Sequence, residues 1–345
     1  MKIVADTKVP FLKGVFEPYA EVVYKDGRDI CREDVMDADA MIIRTRTRCD
    51  EQLLGGSSVQ IIASATIGTD HIDLPWCTAA GIKTTNAAGC NASGVMDYVF
   101  SALYAVAARK GIELEGKTFG IVGVGNVGKK VEESARKLGF EVLLCDPPRA
   151  AAEGREKFCS LSYLLMKSDI VTLHTPLNGE TAGMADENFF REIKPGAIFI
   201  NAARGEIVNE GELLHALPKL GAAIIDTWCH EPDINRTLLD AVDIATPHIA
   251  GYSYQGKQNG TAAAVRAVAR FFGIEALYGF YPKAETEDLE PVRLHIGGLG
   301  QGEVAAMIQY NYPIFTDDFF FRLDPDGFER IRSEYRYRRE FYLDL

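Results

Sequence analysis

The sequence predicts an α/β protein built on parallel sheets, and three observations carry that prediction. Short apolar runs of β type alternate with helix-length stretches from the N-terminus onward. A glycine-rich hexapeptide stands between one such run and a helical stretch. At 345 residues the chain is longer than one compact core usually holds, so two or three domains are expected.

The elements follow in order. Ile3-Val4-Ala5 opens as a strand, and Ala40–Ile43 and Val59–Ala63 continue the pattern. Residues 92–110 lack proline and are rich in Ala, Val, Leu and Tyr, which predicts a long, mostly buried helix closed at Gly111. A domain boundary is expected around 88–112. Thr118–Val122 is a strand, 129–138 a helix and Glu141–Cys145 a second strand ending at Asp146. Strands are also expected at 170–173, 197–200, 222–225 and 242–245, completing a doubly wound domain with six strands. Residues 256–273 read as another long helix. From 281 onward the chain holds 12 aromatic residues in 65 and one basic cluster at 336–339, a composition suited to a protein interface.

Composition narrows the function. The formal charge of −12 removes the usual electrostatic footprint of a nucleic-acid binder. No apolar run reaches the roughly 18 residues that a membrane span needs, and Asp6 interrupts what would be a signal-peptide core. Seven cysteines with no CxxC pair read as free thiols in a reducing cytoplasm. No His and Cys spacing suits a metal.

Gly123-Val124-Gly125-Asn126-Val127-Gly128 follows one strand and opens a helix, the setting a dinucleotide-binding loop requires. Gly123 permits the turn, Gly125 lets the backbone approach a pyrophosphate, and Gly128 allows close helix–sheet packing. Asp146, 18 residues beyond Gly128, can accept both ribose hydroxyls of NAD and would repel the extra phosphate of NADP. Arg149 nearby could tolerate that phosphate, but Asp146 is better placed. NAD is therefore the expected cofactor. Three further strand-end loops carry an arginine, a carboxylate and a histidine: Asn201–Gly205, Asp226–Pro232 and Thr246–Gly251. Arg204 can grip a carboxylate through two parallel hydrogen bonds. His248 can remove a hydroxyl proton while hydride leaves the same carbon, with Glu231 orienting the imidazole and favouring its charged form.

The glycine fingerprint, NAARG, the Glu231-Pro232 pair and TPHIAG resemble the D-isomer-specific 2-hydroxyacid dehydrogenases over about residues 1–275. That resemblance gives Arg204, Glu231 and His248 the roles just described. It implies a discontinuous flavodoxin-like α/β substrate domain (1–90 with 255–280), a Rossmann NAD-binding domain (91–254) and a small C-terminal domain (281–345). ATIGTDH at 65–71, AGCNA at 88–92 and CDPPR at 145–149 point within the family to an enzyme whose substrate is a phosphorylated four-carbon hydroxy acid. The resemblance further implies that Thr45 and Thr66 contact substrate, and that the tail joins subunits into a homodimer. It implies cofactor contacts at Asn126, Val127, Thr175, Ala202, Ala203, Arg204, Asp226, Gly251 and Tyr252.

A substrate with an anion at each end needs a second cation besides Arg204. Arg44, Arg46 and Arg48 alternate, so a continued strand would turn all three to one side; at least one of them is expected at the phosphate, and Arg44 and Arg46 are expected to bind substrate. His71 reads as a structural hydrogen-bonding residue, His174 as part of a cofactor-side loop and His215 as a helix-face residue. His230, beside Glu231, is the rival of His248. Two other functions stay open at this level: a dehydrogenase of another small hydroxy acid such as 3-phosphoglycerate, and a non-catalytic NAD-sensing module.

Overall fold

The computed structural model describes all 345 residues, which group into two compact units. Met1–Asn91 with Ser253–Glu290 make the first, and Ala92–Tyr252 with Pro291–Leu345 the second.

The first unit is built on five parallel strands: β1 (Lys2–Asp6), β2 (Glu21–Lys25), β3 (Ala40–Ile43), β4 (Ile61–Ser64) and β5 (Lys83–Thr85). Their order, β2-β1-β3-β4-β5, is that of flavodoxin-like sheets. The central strands β3 and β4 are buried at every residue, as apolar runs covered on both faces must be. On one face Ala264, Val265 and Val268 of the helix Tyr254–Phe272 join Ile3, Ile42 and Ile61 in a single apolar cluster.

The second unit carries six parallel strands: β6 (Thr118–Val122), β7 (Glu141–Cys145), β8 (Ile170–Leu173), β9 (Ile198–Asn201), β10 (Ala222–Ile225) and β11 (Ile244–Ala245). Their order is β11-β10-β9-β8-β6-β7, so chain direction across the sheet reverses between β6 and β8. Ligands of open α/β sheets bind outside the carboxyl ends of the strands at such a switch point. The helix Ala92–Lys110 is buried at every position from Ala92 to Ala107, which is why it shows no polar stripe.

The tail folds into the short parallel strands β12 (Val292–His295) and β13 (Phe341–Asp344), with helices at Gln301–Asn311, Ile314–Leu323 and Phe328–Glu334 between them. Residues up to Glu290 group with the first unit and the rest of the tail with the second. The tail's aromatic residues fill cores there: Phe321 and Phe328 share a cluster with Trp228 and Ala245, and Phe341 one with the helix 92–110. Asp318 accepts the Ala245 N–H at 2.7 Å, so the tail also satisfies the outer edge of β11. All seven cysteines are free, and no helix is long and apolar enough to cross a membrane.

Candidate active site

The site is assembled from loops at the carboxyl ends of β6 to β11. Gly123 sits at φ +86, and a side chain there would strike the backbone of His174 and Thr175, within 2.8 Å. A Cβ on Gly128 would lie 2.2 Å from the Gly123 carbonyl oxygen, whereas one on Gly125 would meet nothing within 4 Å. Two glycines thus close the turn, and the third leaves an open approach to the helix Asn126–Lys137. No side chain caps that helix, so its first N–H groups are left for an anion. Thr175, across the switch point, has a buried hydroxyl without a hydrogen-bond partner. These features fit a dinucleotide. Desolvation pushes His174 down to about 3, so its imidazole is neutral.

Asp146 ends β7, with one oxygen accepting the Val124 N–H at 2.8 Å and the other the Arg149 N–H at 3.0 Å. Arg149 is itself committed, by a 2.6 Å ion pair with Glu153 and a bond to the Val124 carbonyl. Its charge is therefore partly answered before any ligand arrives.

Loops after β9, β10 and β11 are neighbours because those strands are neighbours. Arg204 follows β9 in extended conformation, and the backbone at Gly205 packs so closely on Trp228 that any Cβ would overlap it. Glu231 follows β10, and His248 follows β11. Nδ1 of His248 lies 2.8 Å from Oε2 of Glu231, whose other oxygen accepts the Trp228 N–H at 3.0 Å. Burial pushes the Glu231 carboxyl up. The charge and hydrogen bond of His248, the Trp228 N–H and the Arg332 cation more than reverse this, holding it below the usual carboxylate range. His230, the rival histidine, is exposed, whereas His248 is half-buried and paired.

Asp226 lies beneath this pair. Its buried carboxylate accepts the Thr246 hydroxyl at 2.7 Å and the N–H groups of Ile249 and Ala250 at 2.8 and 3.0 Å. Burial raises its pKa, against the opposing pull of His248 and these bonds. These bonds make it a carboxylate that shapes the histidine loop, beside the cofactor contact expected from the sequence. Ala202 and Ala203 lie in the β9 loop, and Gly251 and Tyr252 follow the histidine loop, with the Tyr252 ring edge-on to Tyr335 and Tyr337 of the tail.

With this geometry in view, comparison with known proteins is decisive. Residues 99–250 match the family described as D-isomer specific 2-hydroxyacid dehydrogenase, NAD binding domain. An erythronate-4-phosphate dehydrogenase of Bacteroides fragilis is 46% identical over 99% of this chain and 97% of its own length. That of Bacteroides thetaiotaomicron is 43% identical over the same shares. The chain belongs to the D-isomer specific 2-hydroxyacid dehydrogenase family. Within the family, its near-full-length relatives are erythronate-4-phosphate dehydrogenases. A solved 3-phosphoglycerate dehydrogenase of Entamoeba histolytica with NAD+ bound is 28% identical, at a TM-score of 0.66, over 82% of this chain and 99% of its own. As a 2-hydroxyacid dehydrogenase with this NAD-binding domain, the protein uses NAD.

The first unit of this dehydrogenase holds the residues expected at the substrate. β3 ends at Ile43, so the arginines that follow lie beyond the strand and its alternation does not place them. Arg44 pairs with the buried Asp6 at 2.9 Å, and Arg48 pairs with Asp50 at 2.7 Å. Thr45, Arg46 and Arg48 line a cleft of about 410 Å³, with Asp50 and His71 also in its wall. Thr66 is not in that wall; its hydroxyl bonds Ser64 at 2.8 Å. His71 was expected to be a hydrogen-bonding residue, yet its Nε2 is buried and unpartnered, and desolvation lowers its pKa. His215 lies exposed on the helix Glu210–Ala216, as a helix-face residue should. Sequence reasoning missed the tail residue Arg338, which read as one of a basic cluster suited to a protein interface.

Proposed function

We propose that the protein oxidises 4-phospho-D-erythronate at C2 to 2-oxo-3-hydroxy-4-phosphobutanoate, with NAD as oxidant, in pyridoxal 5'-phosphate biosynthesis. The observation that carries this reading is the 46% identity extending over 99% of the chain, tail included. The His248–Glu231 pair supports its chemistry. Nδ1 of His248 is engaged by Glu231, which leaves Nε2 to take the C2 hydroxyl proton. Bound NAD supplies the acceptor for the C2 hydride. Loss of both groups turns the C2–OH carbon into a carbonyl. Glu231 stabilises the imidazolium so formed, and Arg204 grips the C1 carboxylate. Gly123, Gly125, Asn126, Val127 and Gly128 would cradle the cofactor's pyrophosphate, Asp146 its ribose hydroxyls, and Thr175, Ala202, Ala203, Gly251 and Tyr252 the nicotinamide half. Thr45 and Arg46, with Thr66 and the Asp6-held Arg44 nearby in the same unit, are assigned to substrate and its phosphate. The work is done in the cytoplasm by a homodimer joined through the tail.

A turnover assay with 4-phosphoerythronate and 3-phosphoglycerate, each with and without an added 2-oxo acid, tests the reading. NAD reduction with 4-phosphoerythronate at far higher kcat/KM is expected. Preference for 3-phosphoglycerate would overturn the substrate, and no turnover with either would leave an NAD-sensing module.

A further inference from the structure

The loop from His248 to Tyr252 is gripped from two sides, and only one grip comes from the sheet that carries it. On the N–H side, the Asp226 carboxylate takes Ile249 and Ala250. On the C=O side, the guanidinium of Arg338, from the tail, takes the carbonyls of Ile249 at 3.3 Å, Tyr252 at 3.0 Å and Ala250. Its second terminal nitrogen also reaches the Gly94 carbonyl at 2.9 Å, in the first turn of the helix 92–110. The guanidinium lies 3.9 Å from the centre of the Tyr312 ring, which covers its face.

The choice of partners is informative. A cation drawn out of water usually meets a carboxylate, because an unpaired buried charge is costly. The carboxylates of Asp317 and Asp97 act on the charge of Arg338 from nearby, but its hydrogen bonds go to the Tyr335 hydroxyl and to carbonyl oxygens, three of them from one short loop. Only a planar fork with five N–H donors can serve several carbonyls in one plane; an ammonium cannot span them. The loop needs such fixing because His248 stands at φ +55, a left-handed conformation that non-glycine residues rarely hold. Gly94 and Tyr252 also stand close to the two points at which the chain passes between its units, Ala92 and Ser253.

We propose that Arg338 is a positioning residue for the acid–base step: by fixing the carbonyls of Ile249, Ala250 and Tyr252 against Asp226, it holds His248 in register with Glu231. The tail is thereby part of the catalytic machinery as well as an appendage that joins subunits. This inference rests on the assignment of His248 as proton acceptor.

The test compares Arg338→Met, Arg338→Lys, His248→Ala and wild type as full-length holoenzyme, with 4-phosphoerythronate as substrate. Arg338→Met should lower kcat about tenfold or more while KM for substrate changes less than about threefold, since the Arg204 loop is untouched. The acid limb of its kcat–pH profile should also shift, because His248 no longer keeps a fixed Glu231 partner. Arg338→Lys keeps the charge and should remain slow, whereas a purely structural role would be rescued by it. Should Arg338→Met fail to fold, the Lys variant alone decides: low kcat at unchanged KM supports the inference, and wild-type kcat overturns it. Wild-type kcat and pH profile in a folded Met variant would likewise overturn it. Failure of the underlying assignment is read separately, from retained turnover in His248→Ala.

Discussion

Nδ1 of His248 and Oε2 of Glu231 stand 2.8 Å apart although they belong to loops of different strands, β11 and β10. Replacing His248 by Ala should lower turnover about 10²-fold or more, with NAD binding by fluorescence nearly unchanged. Replacing Glu231 by Gln keeps a hydrogen bond but removes the charge that favours imidazolium. The acid limb of the oxidation profile should then move to lower pH, so the loss is larger on the high-pH plateau than at neutral pH. Stability should respond too. The Glu231 pKa is depressed in the fold, so its contribution is present above the ordinary carboxylate pKa and is lost as pH falls through the folded value. Thermal melts should show the Gln variant's deficit at pH 7 shrinking towards pH 3.

Cofactor choice should turn on Asp146 and on how firmly Arg149 is held. Asp146→Ala should narrow the preference for NAD over NADP in kcat/KM. Because Glu153 pairs with Arg149 at 2.6 Å, adding Glu153→Ala should narrow it further by freeing a cation for the 2'-phosphate. Equal use of both cofactors by the wild type would remove Asp146 from this role.

The three arginines after β3 should not behave alike. Arg46→Ala should raise KM for 4-phosphoerythronate about tenfold or more, the scale of one lost charge-assisted hydrogen bond, with little effect on stability. Arg44→Ala leaves the buried Asp6 unpaired, so its main effect should be a lower Tm. Arg48 lines the same cleft but is 86% exposed and paired with Asp50, so Arg48→Ala should raise KM less than Arg46→Ala and leave Tm unchanged. Steady-state kinetics and melting curves on the three variants separate these outcomes.

Self-association should run through the exposed side of the tail. Phe319, Phe320 and Leu323 lie at the end of the helix Ile314–Leu323 and are 60%, 54% and 69% exposed. Deleting the tail is a poor test, because Phe321, Phe328 and Phe341 are core residues of the second unit. Phe319→Ser with Phe320→Glu leaves that core intact and should shift the protein to monomer in light scattering. An unchanged dimer would place the interface elsewhere.

Strands buried on both faces were legible in the sequence because they are continuous apolar runs; β6, β8 and β10 have the expected bounds, as does the edge strand β7, whose Val142–Cys145 run is also apolar. β2 and β5 were not, being the half-exposed edges of their sheet, with polar residues and only three positions in β5. The chemistry of Arg204, Glu231 and His248 was legible because strand-end loops of a parallel sheet converge. The Arg44–Asp6 pair was not legible for a reason of topology: local spacing does not reveal that β1 and β3 are neighbours, which sets Asp6 beside Arg44. Arg338 was hidden in the same way, since its partners lie some 90 and 240 residues away in sequence.

Asp226 offers the sharpest separation of holding a loop from touching a ligand. Its two oxygens accept three hydrogen bonds, two from the N–H groups that follow His248. Asparagine keeps the shape but has one oxygen, and its amide must then face at least one N–H donor. That mismatch in a buried site should cost about 1–3 kcal/mol of stability. The peptide units after His248 would move away from the donor clash, carrying the imidazole from Glu231. Asp226→Asn should therefore lower both Tm and kcat, and the remaining activity should have a less steep acid limb. Asp226→Ala removes the acceptor altogether, stranding the Ile249 and Ala250 N–H groups and opening a cavity, so it should melt lower than the Asn variant. If Asn instead weakens NAD binding while leaving Tm and kcat at wild-type values, Asp226 acts on the cofactor and not on the loop.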